Sequence, residues 1–208
     1  MKKLLFLLLF AVGTTAVKAQ FARLDRYPLI PTEYEAVYVD VVRNYAASIL
    51  NSSSGQYFGQ FTPEGEAYGF GTFYFNSGSM ATGAFYNGIL LFGIKQNSQS
   101  VEVGTEQHHV VYDLQTSEVK VVVKDGVDYL PNAERKAQWK YVQISYANGA
   151  KYVGETVNGR RDGYGIYYYA DGDFYYGRFA DDKPVGYGAV FKTDNRIVIQ
   201  NWDESLSQ

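Results

Sequence analysis

The chain reads YVGETVNGRRDGYG over residues 152–165 and YYGRFADDKPVGYG over residues 175–188. Tyr152, Gly154, Gly163 and Gly165 return 23 positions later as Tyr175, Gly177, Gly186 and Gly188, with Asp182 in the place of Gly159. A third copy lies upstream at Tyr57, Gly59, Gly65, Gly69 and Gly71, with one extra residue around Thr62-Pro63-Glu64. A degenerate fourth follows at Gly83 and Asn87-Gly88, where Gly-x-Gly has become Phe92-Gly93-Ile94. The last traces fade from Asn195 to Trp202. Self-similarity at a fixed period is the mark of a repeat architecture.

Working outward, turn signals fall about every ten residues: Asn76-Ser77-Gly78, Asn87-Gly88, Asn148-Gly149, Asn158-Gly159 and Asp171-Gly172. Asn-Gly and Asp-Gly supply the positive φ angles of tight hairpin turns. Between them lie β-formers such as Ile166-Tyr167-Tyr168-Tyr169, so the stretch predicts a ladder of hairpins. Side chains alternate across a strand. Tyr57, Gly59 and Phe61 therefore share a phase with Gly69, Gly71, Phe73 and Phe75. Tyr152 and Gly154 go with Gly163, Gly165, Tyr167 and Tyr169. Tyr175, Gly177 and Phe179 go with Gly186 and Gly188. Glycine weakens a strand unless something needs its space, and the expected occupant is a neighbouring ring. The Gly-x-Gly pairs read as packing devices and not as phosphate loops, because no third glycine fits and no helix is signalled after them. The opposite phase is aromatic as well, at Phe70, Tyr74, Tyr164, Tyr168, Tyr176, Tyr187 and Phe191. A sheet with one watered face alternates apolar and polar. Here either both faces are covered, or one is an apolar surface awaiting a partner.

This pattern resembles the MORN (membrane occupation and recognition nexus) repeat, whose signature is Tyr-x-Gly, a turn glycine, Gly-x-Gly and a closing turn. The matching positions span about 57–94 and 141–202. The expected fold is mainly β: a single elongated antiparallel sheet of MORN-type hairpins, with one N-terminal helix and a β-hairpin insert. The resemblance implies a groove that holds a partner segment or dimerises, and it brings a role in binding membrane phosphoinositides. Tyr57, Phe61, Phe73, Phe75, Tyr152, Tyr167, Tyr169, Tyr175 and Phe179 are the residues expected to line such a groove.

Outside the repeats, Lys2-Lys3, the apolar run Leu4–Val12 and Val17-Lys18-Ala19 have the layout of a secretory signal cleaved after Ala19. The run is far short of the roughly 20 residues that span a bilayer. A secreted or periplasmic location follows as an expectation. In residues 20–56, Thr32-Glu33-Tyr34-Glu35 fits a capping box. Tyr34, Val37, Tyr38, Val41, Tyr45 and Ile49 then recur at helical spacing. This predicts a helix over 32–49, with the Val37/Val39/Val41 alternation keeping a strand as the alternative. Ser52-Ser53-Ser54-Gly55 reads as a linker into the first repeats, 57–94. The insert, 95–140, reads as a hairpin of Val110–Leu114 and Val119–Val123 followed by a short helix around Asn132–Gln138. Residues 141–208 hold the second repeats and a C-terminal tail.

The chain has no cysteine, which removes disulfides and thiolate metal sites. Cleavage after Ala19 would take away Lys2, Lys3 and Lys18, leaving 16 basic against 22 acidic residues, a net charge of −6. That balance argues against nucleic acid and against anionic lipid, since only Arg160-Arg161 clusters and Asp162 follows at once. His108-His109 are adjacent, so on a strand they point to opposite faces and make no metal site by themselves. Asp162, Asp171, Asp173, Asp181 and Asp182 fall in or beside turns, where turn chemistry accounts for them. Paired acids of a hydrolase are the least favoured reading. The sequence predicts a non-enzymatic module with no cofactor and no metal, whose partner is a protein or a second copy. A glycan or small ligand on exposed tyrosine rows is the alternative.

Overall fold

The structure, a computed structural model, describes residues 47–202. The expected signal and most of the helix expected at 32–49 lie outside the described residues. The last three positions of that helix are instead strand: β1 covers Ala47–Ser52. Ser53 and Ser54 form a two-residue turn into β2, Gly55–Phe61, with Ser52 opposite Gly55. The presumed linker is thus a hairpin turn, tied to the next turn by Asn76, whose side chain donates to the Ser53 carbonyl at 3.0 Å.

The meander continues through β3 (Ala67–Phe75), β4 (Met80–Tyr86), β5 (Ile89–Gln96), β6 (Ser100–Thr105), β7 (His109–Asp113), β8 (Val119–Lys124) and β9 (Val127–Tyr129). Each strand pairs antiparallel with the next, giving a nine-stranded sheet. The expected insert is therefore four more strands of the first sheet, since β6 pairs directly with β5 in unbroken register from Phe92–Thr105 to Gln96–Val101. Helix α1, Ala133–Gln138, follows. Then β10 (Trp139–Ser145), β11 (Lys151–Val157), β12 (Arg160–Tyr168), β13 (Phe174–Ala180), β14 (Lys183–Phe191) and β15 (Ile197–Asn201) form a second antiparallel meander of six strands.

The molecule is thus two antiparallel sheets and not a single elongated one. The reason is the doubly aromatic pattern itself. One phase of each sheet is turned toward the other sheet, and together they make the main core. Phe70, Phe92, Ile94, Val103 and Tyr112 of the first sheet meet Trp139, Tyr141, Tyr164, Ile166, Tyr176 and Phe191 of the second. Rings touch across the interface, Phe58 with Phe191 at 5.7 Å and Phe70 with Tyr176 at 6.3 Å between centroids. Fully burying one such side chain contributes roughly 1.5–3 kcal/mol, so closing the sheets on each other removes the apolar face that a single sheet would leave in water. The isolated bridge between Glu118 and Lys140 and the Lys140–Glu118 ion pair at 2.9 Å anchor β10 beside β8.

Turn chemistry sets the hairpin geometry. Asn158 and Gly159 have φ of 51° and 80°, and Asp181 and Asp182 have 46° and 69°. Two consecutive positive φ angles match the twist of the flanking strands. Asp182 therefore adopts the left-handed state that Gly159 adopts one repeat earlier, which aspartate tolerates better than most side chains.

Candidate functional site

The outer faces of the two sheets carry the repeat's own phase. On each, a tyrosine folds back along its strand and lies over a pair of glycines facing each other across two strands. Tyr57 covers Gly59 and Gly71, Tyr152 covers Gly154 and Gly165, and Tyr175 covers Gly177 and Gly188; a Cβ at any of these glycines would run into that ring. The hydroxyl of Tyr57 donates to the Gln60 carbonyl at 2.9 Å, and that of Tyr152 to the Glu155 carbonyl at 2.7 Å. Tyr-x-Gly is therefore a strand whose ring occupies the space its glycine vacates. A second ring closes each seat edge-on: Phe85 on Tyr57 at 5.3 Å, Phe179 on Tyr152 at 5.1 Å and Trp202 on Tyr175 at 5.9 Å.

This geometry corrects the expected groove. Tyr57, Tyr152, Tyr175 and Phe179 are buried, because each ring lies against its own sheet and is covered by another ring. Phe61, Phe73 and Tyr167 are half-buried, and Phe75 and Tyr169 are exposed. Phe73 and Phe75 lie tilted with ring centroids 4.4 Å apart, and Tyr167 meets Tyr169 edge-on at 5.1 Å. Of the residues expected to line the groove, the two exposed ones each pair with a half-buried neighbour, one pair on each sheet.

In the copies at Gly69 and Gly163 the first glycine of Gly-x-Gly has a different task. Gly69 and Gly163 have φ of 97° and 112° and press on the side chains of Gln60 and Glu155. Here the ladder is interrupted. Gly59 pairs with Gly71 and Phe61 with Ala67, so Gln60 stands opposite three residues; Glu155 stands opposite Asp162–Tyr164 in the same way. The interruption frees the N–H groups of Phe70 and Tyr164. The first donates to Gln60 Oε1 at 3.2 Å and the second to Glu155 Oε2 at 2.8 Å, which satisfies buried backbone donors that would otherwise be orphaned.

Glu155 does more than Gln60. Its other oxygen, Oε1, accepts from the Tyr112 hydroxyl at 2.5 Å, a bond from β7 of the first sheet to β11 of the second. Burial pushes the Glu155 carboxyl up to about 8, against the opposing pull of the Tyr112 and Tyr164 hydrogen bonds. Burial therefore favours its neutral form far more than for an exposed glutamate. Tyr141 packs beside Tyr112, 5.8 Å between rings, and its hydroxyl is pushed up chiefly by burial and further by Glu155. Sequence reading missed Glu155, since a glutamate inside a strand reads as surface. The signal available was its alignment with Gln60, directly after each Tyr-x-Gly.

Arg161 sits on the outer face of the second sheet, with its guanidinium carbon 5.8, 5.6 and 5.3 Å from the rings of Tyr152, Tyr167 and Phe179. Its side chain also bonds the Asp182 carbonyl and carboxylate. The arginine therefore caps the Tyr152 seat. The turn carboxylates are likewise engaged. Asp181 pairs with Arg160 at 3.1 Å. Asp173 accepts from Lys192 and from the Thr193 N–H, and the Lys192 bond holds its carboxyl below the usual range. His108 bonds Asp125 at 2.9 Å, while His109 Nδ1 lies 3.0 Å from the Thr105 carbonyl. Among the described residues, no cluster of three His, Cys, Asp or Glu could hold a metal ion. No described helix is long and apolar enough to cross a membrane.

β9 is one of four edge strands among the described residues, and all three of its residues are exposed. Strand β9 is hydrogen-bonded to β8 and to no other described strand. Val127, Tyr129 and the following Leu130 are 54, 52 and 90 % exposed. A family model described as the MORN repeat matches residues 64–80, 152–174 and 175–189. No curated protein matches the chain.

Proposed function

Those three segments make the chain a MORN-repeat protein, and from that premise we propose that it is an exported, non-enzymatic module that binds a protein partner or a second copy of itself. MORN repeats are generally interaction modules. The observation that carries the reading is the open edge at β9. An unpaired strand edge lined by apolar side chains is a template for strand addition, and Val127, Tyr129 and Leu130 supply the side chains that would give such pairing specificity. Acidic net charge and the signal-like N-terminus support export and count against anionic lipid as the partner.

Light scattering of the full chain, together with crosslinking in its native envelope, tests this. A dimer or a captured partner protein is expected, and Leu130→Glu with Val127→Lys should abolish it without lowering the melting temperature. A strictly monomeric mass together with no crosslinked partner would contradict it. A second reading, sugar stacking on Phe75 or Tyr169, is supported by the exposure of these two rings. It predicts that Tyr169→Ala removes glycan-array binding.

A further inference from the structure

The tyrosine seat is filled on β2, lost on β4 and replaced on β6. Tyr57 has Ala81 as its counterpart two residues before Gly83, and Glu102 as its counterpart two residues before Gly104. The glycine row itself does not lapse. Gly59, Gly71, Gly83, Gly93 and Gly104 follow one another across five paired strands, and His109 comes next. What changes is the cover. At Gly93 and Gly104 the nearest atoms to an added Cβ are backbone carbonyls, of Thr82 and His108, and no ring. The face is hollow there, with a cavity of about 90 Å³.

The floor of this cavity is Gly93 and Gly104, so a ligand can approach the backbone closely. Leu90 supplies an aliphatic wall. Lys95, Glu102, Glu106 and His109 also line it, where the filled seats have aromatic rings. Lys95 stands directly opposite Glu102 in the register, so the rim sets a donor against an acceptor, and Glu106 adds a second carboxylate that accepts hydroxyl donors and counts against an anionic ligand. His109 Nδ1 faces the Thr105 carbonyl, which can only accept, so Nδ1 donates there and Nε2 is the ring nitrogen left for a ligand. Donors and acceptors therefore both stand around the glycine floor, with Leu90 as the apolar side.

We propose that this hollow binds one pyranose ring of a neutral carbohydrate. Each sugar hydroxyl is both donor and acceptor, as the Lys95 and Glu102 pair requires. The C–H face of the ring suits Leu90, and its flat underside suits the glycine floor. The proposal does not depend on the β9 edge, which lies elsewhere on the sheet, nor on the exposed rings of Phe75 and Tyr169.

The test is an NMR titration of the full ¹⁵N-labelled chain with methyl glucopyranoside, methyl mannopyranoside and methyl galactopyranoside, with alanine as a zwitterionic control. At least one glycoside should shift the Gly93 and Gly104 amides saturably, while Gly165 in the second sheet stays fixed. Glu102→Gln should weaken that binding about tenfold or more, and Leu90→Trp, which fills the hollow, should abolish it; an unmoved Gly165 amide reports that each variant is folded. Lys95→Met is the substitute if either variant misfolds, and it should weaken binding as well. No saturable shift with any glycoside overturns the proposal. So does a shift that these substitutions leave unchanged, or a site that answers to alanine instead.

Discussion

At the scale of single residues, the repeat signature divides into three jobs. The tyrosine of Tyr-x-Gly supplies a ring, the second glycine of Gly-x-Gly makes room for it, and the first, at Gly69 and Gly163, makes room for the side chain that catches a freed N–H. The spacing was readable in the sequence because each contact is local: a ring reaches two residues along its own strand and one strand across. The burial of those rings was not readable, since the same alternation describes a tyrosine in an open groove and one folded flat on its sheet. Gly165→Ala should destabilise the chain by about 1–3 kcal/mol, the usual cost of overpacking, because the new methyl meets the Tyr152 ring. In a Tyr152→Leu background the same change should cost less. Urea denaturation of the four proteins measures both. Equal costs in the two backgrounds would show that the ring is not what the glycine accommodates.

At the scale of elements, the hairpins were legible and their partners were not. The pair Val110–Leu114 and Val119–Val123 and the short helix near 132–138 correspond to β7, β8 and α1. Their membership in the first sheet was hidden, because β6 carries Glu102 where the signature has tyrosine. The interrupted ladder at Glu155 gives this scale its own prediction. Unfolded, the carboxyl titrates near 4.5; folded, burial moves it to about 8. Between those values the folded chain holds a proton that the unfolded chain releases. The stability tied to Glu155 is therefore complete below pH 4.5 and is lost as pH rises through 8, at about 1.4 kcal/mol per unit. The groups facing it are Tyr112, Tyr141, Asp162 and Arg178, and Arg178 opposes the shift. Glu155→Gln, which copies Gln60 of the first repeat, should flatten that slope in urea melts between pH 5 and pH 8. A slope unchanged by the substitution would assign it to other groups.

At the scale of the whole molecule, the sequence posed a question it did not answer: what covers a sheet with two aromatic faces. The outer phase covers itself, ring on glycine. The inner phase of each sheet is covered by the other sheet. Nothing in residues 125–139 announced that the meander would restart as a second sheet, because a short helix and Pro131 are equally compatible with one continuous ladder. With the inner faces closed, the β9 edge is one of the edges a partner could use, and the unfilled seat at Gly93 and Gly104 is open to a small ligand. This account stands on the closure of the two sheets, and the bond that spans them is Tyr112 to Glu155, 43 residues apart in sequence. A double-mutant cycle of Tyr112→Phe and Glu155→Gln, measured by urea unfolding in mildly acidic buffer, tests it most directly. Closed sheets predict a coupling of about 1–2 kcal/mol between the two positions; additivity within about 0.5 kcal/mol, as for residues far apart on one extended sheet, would contradict it.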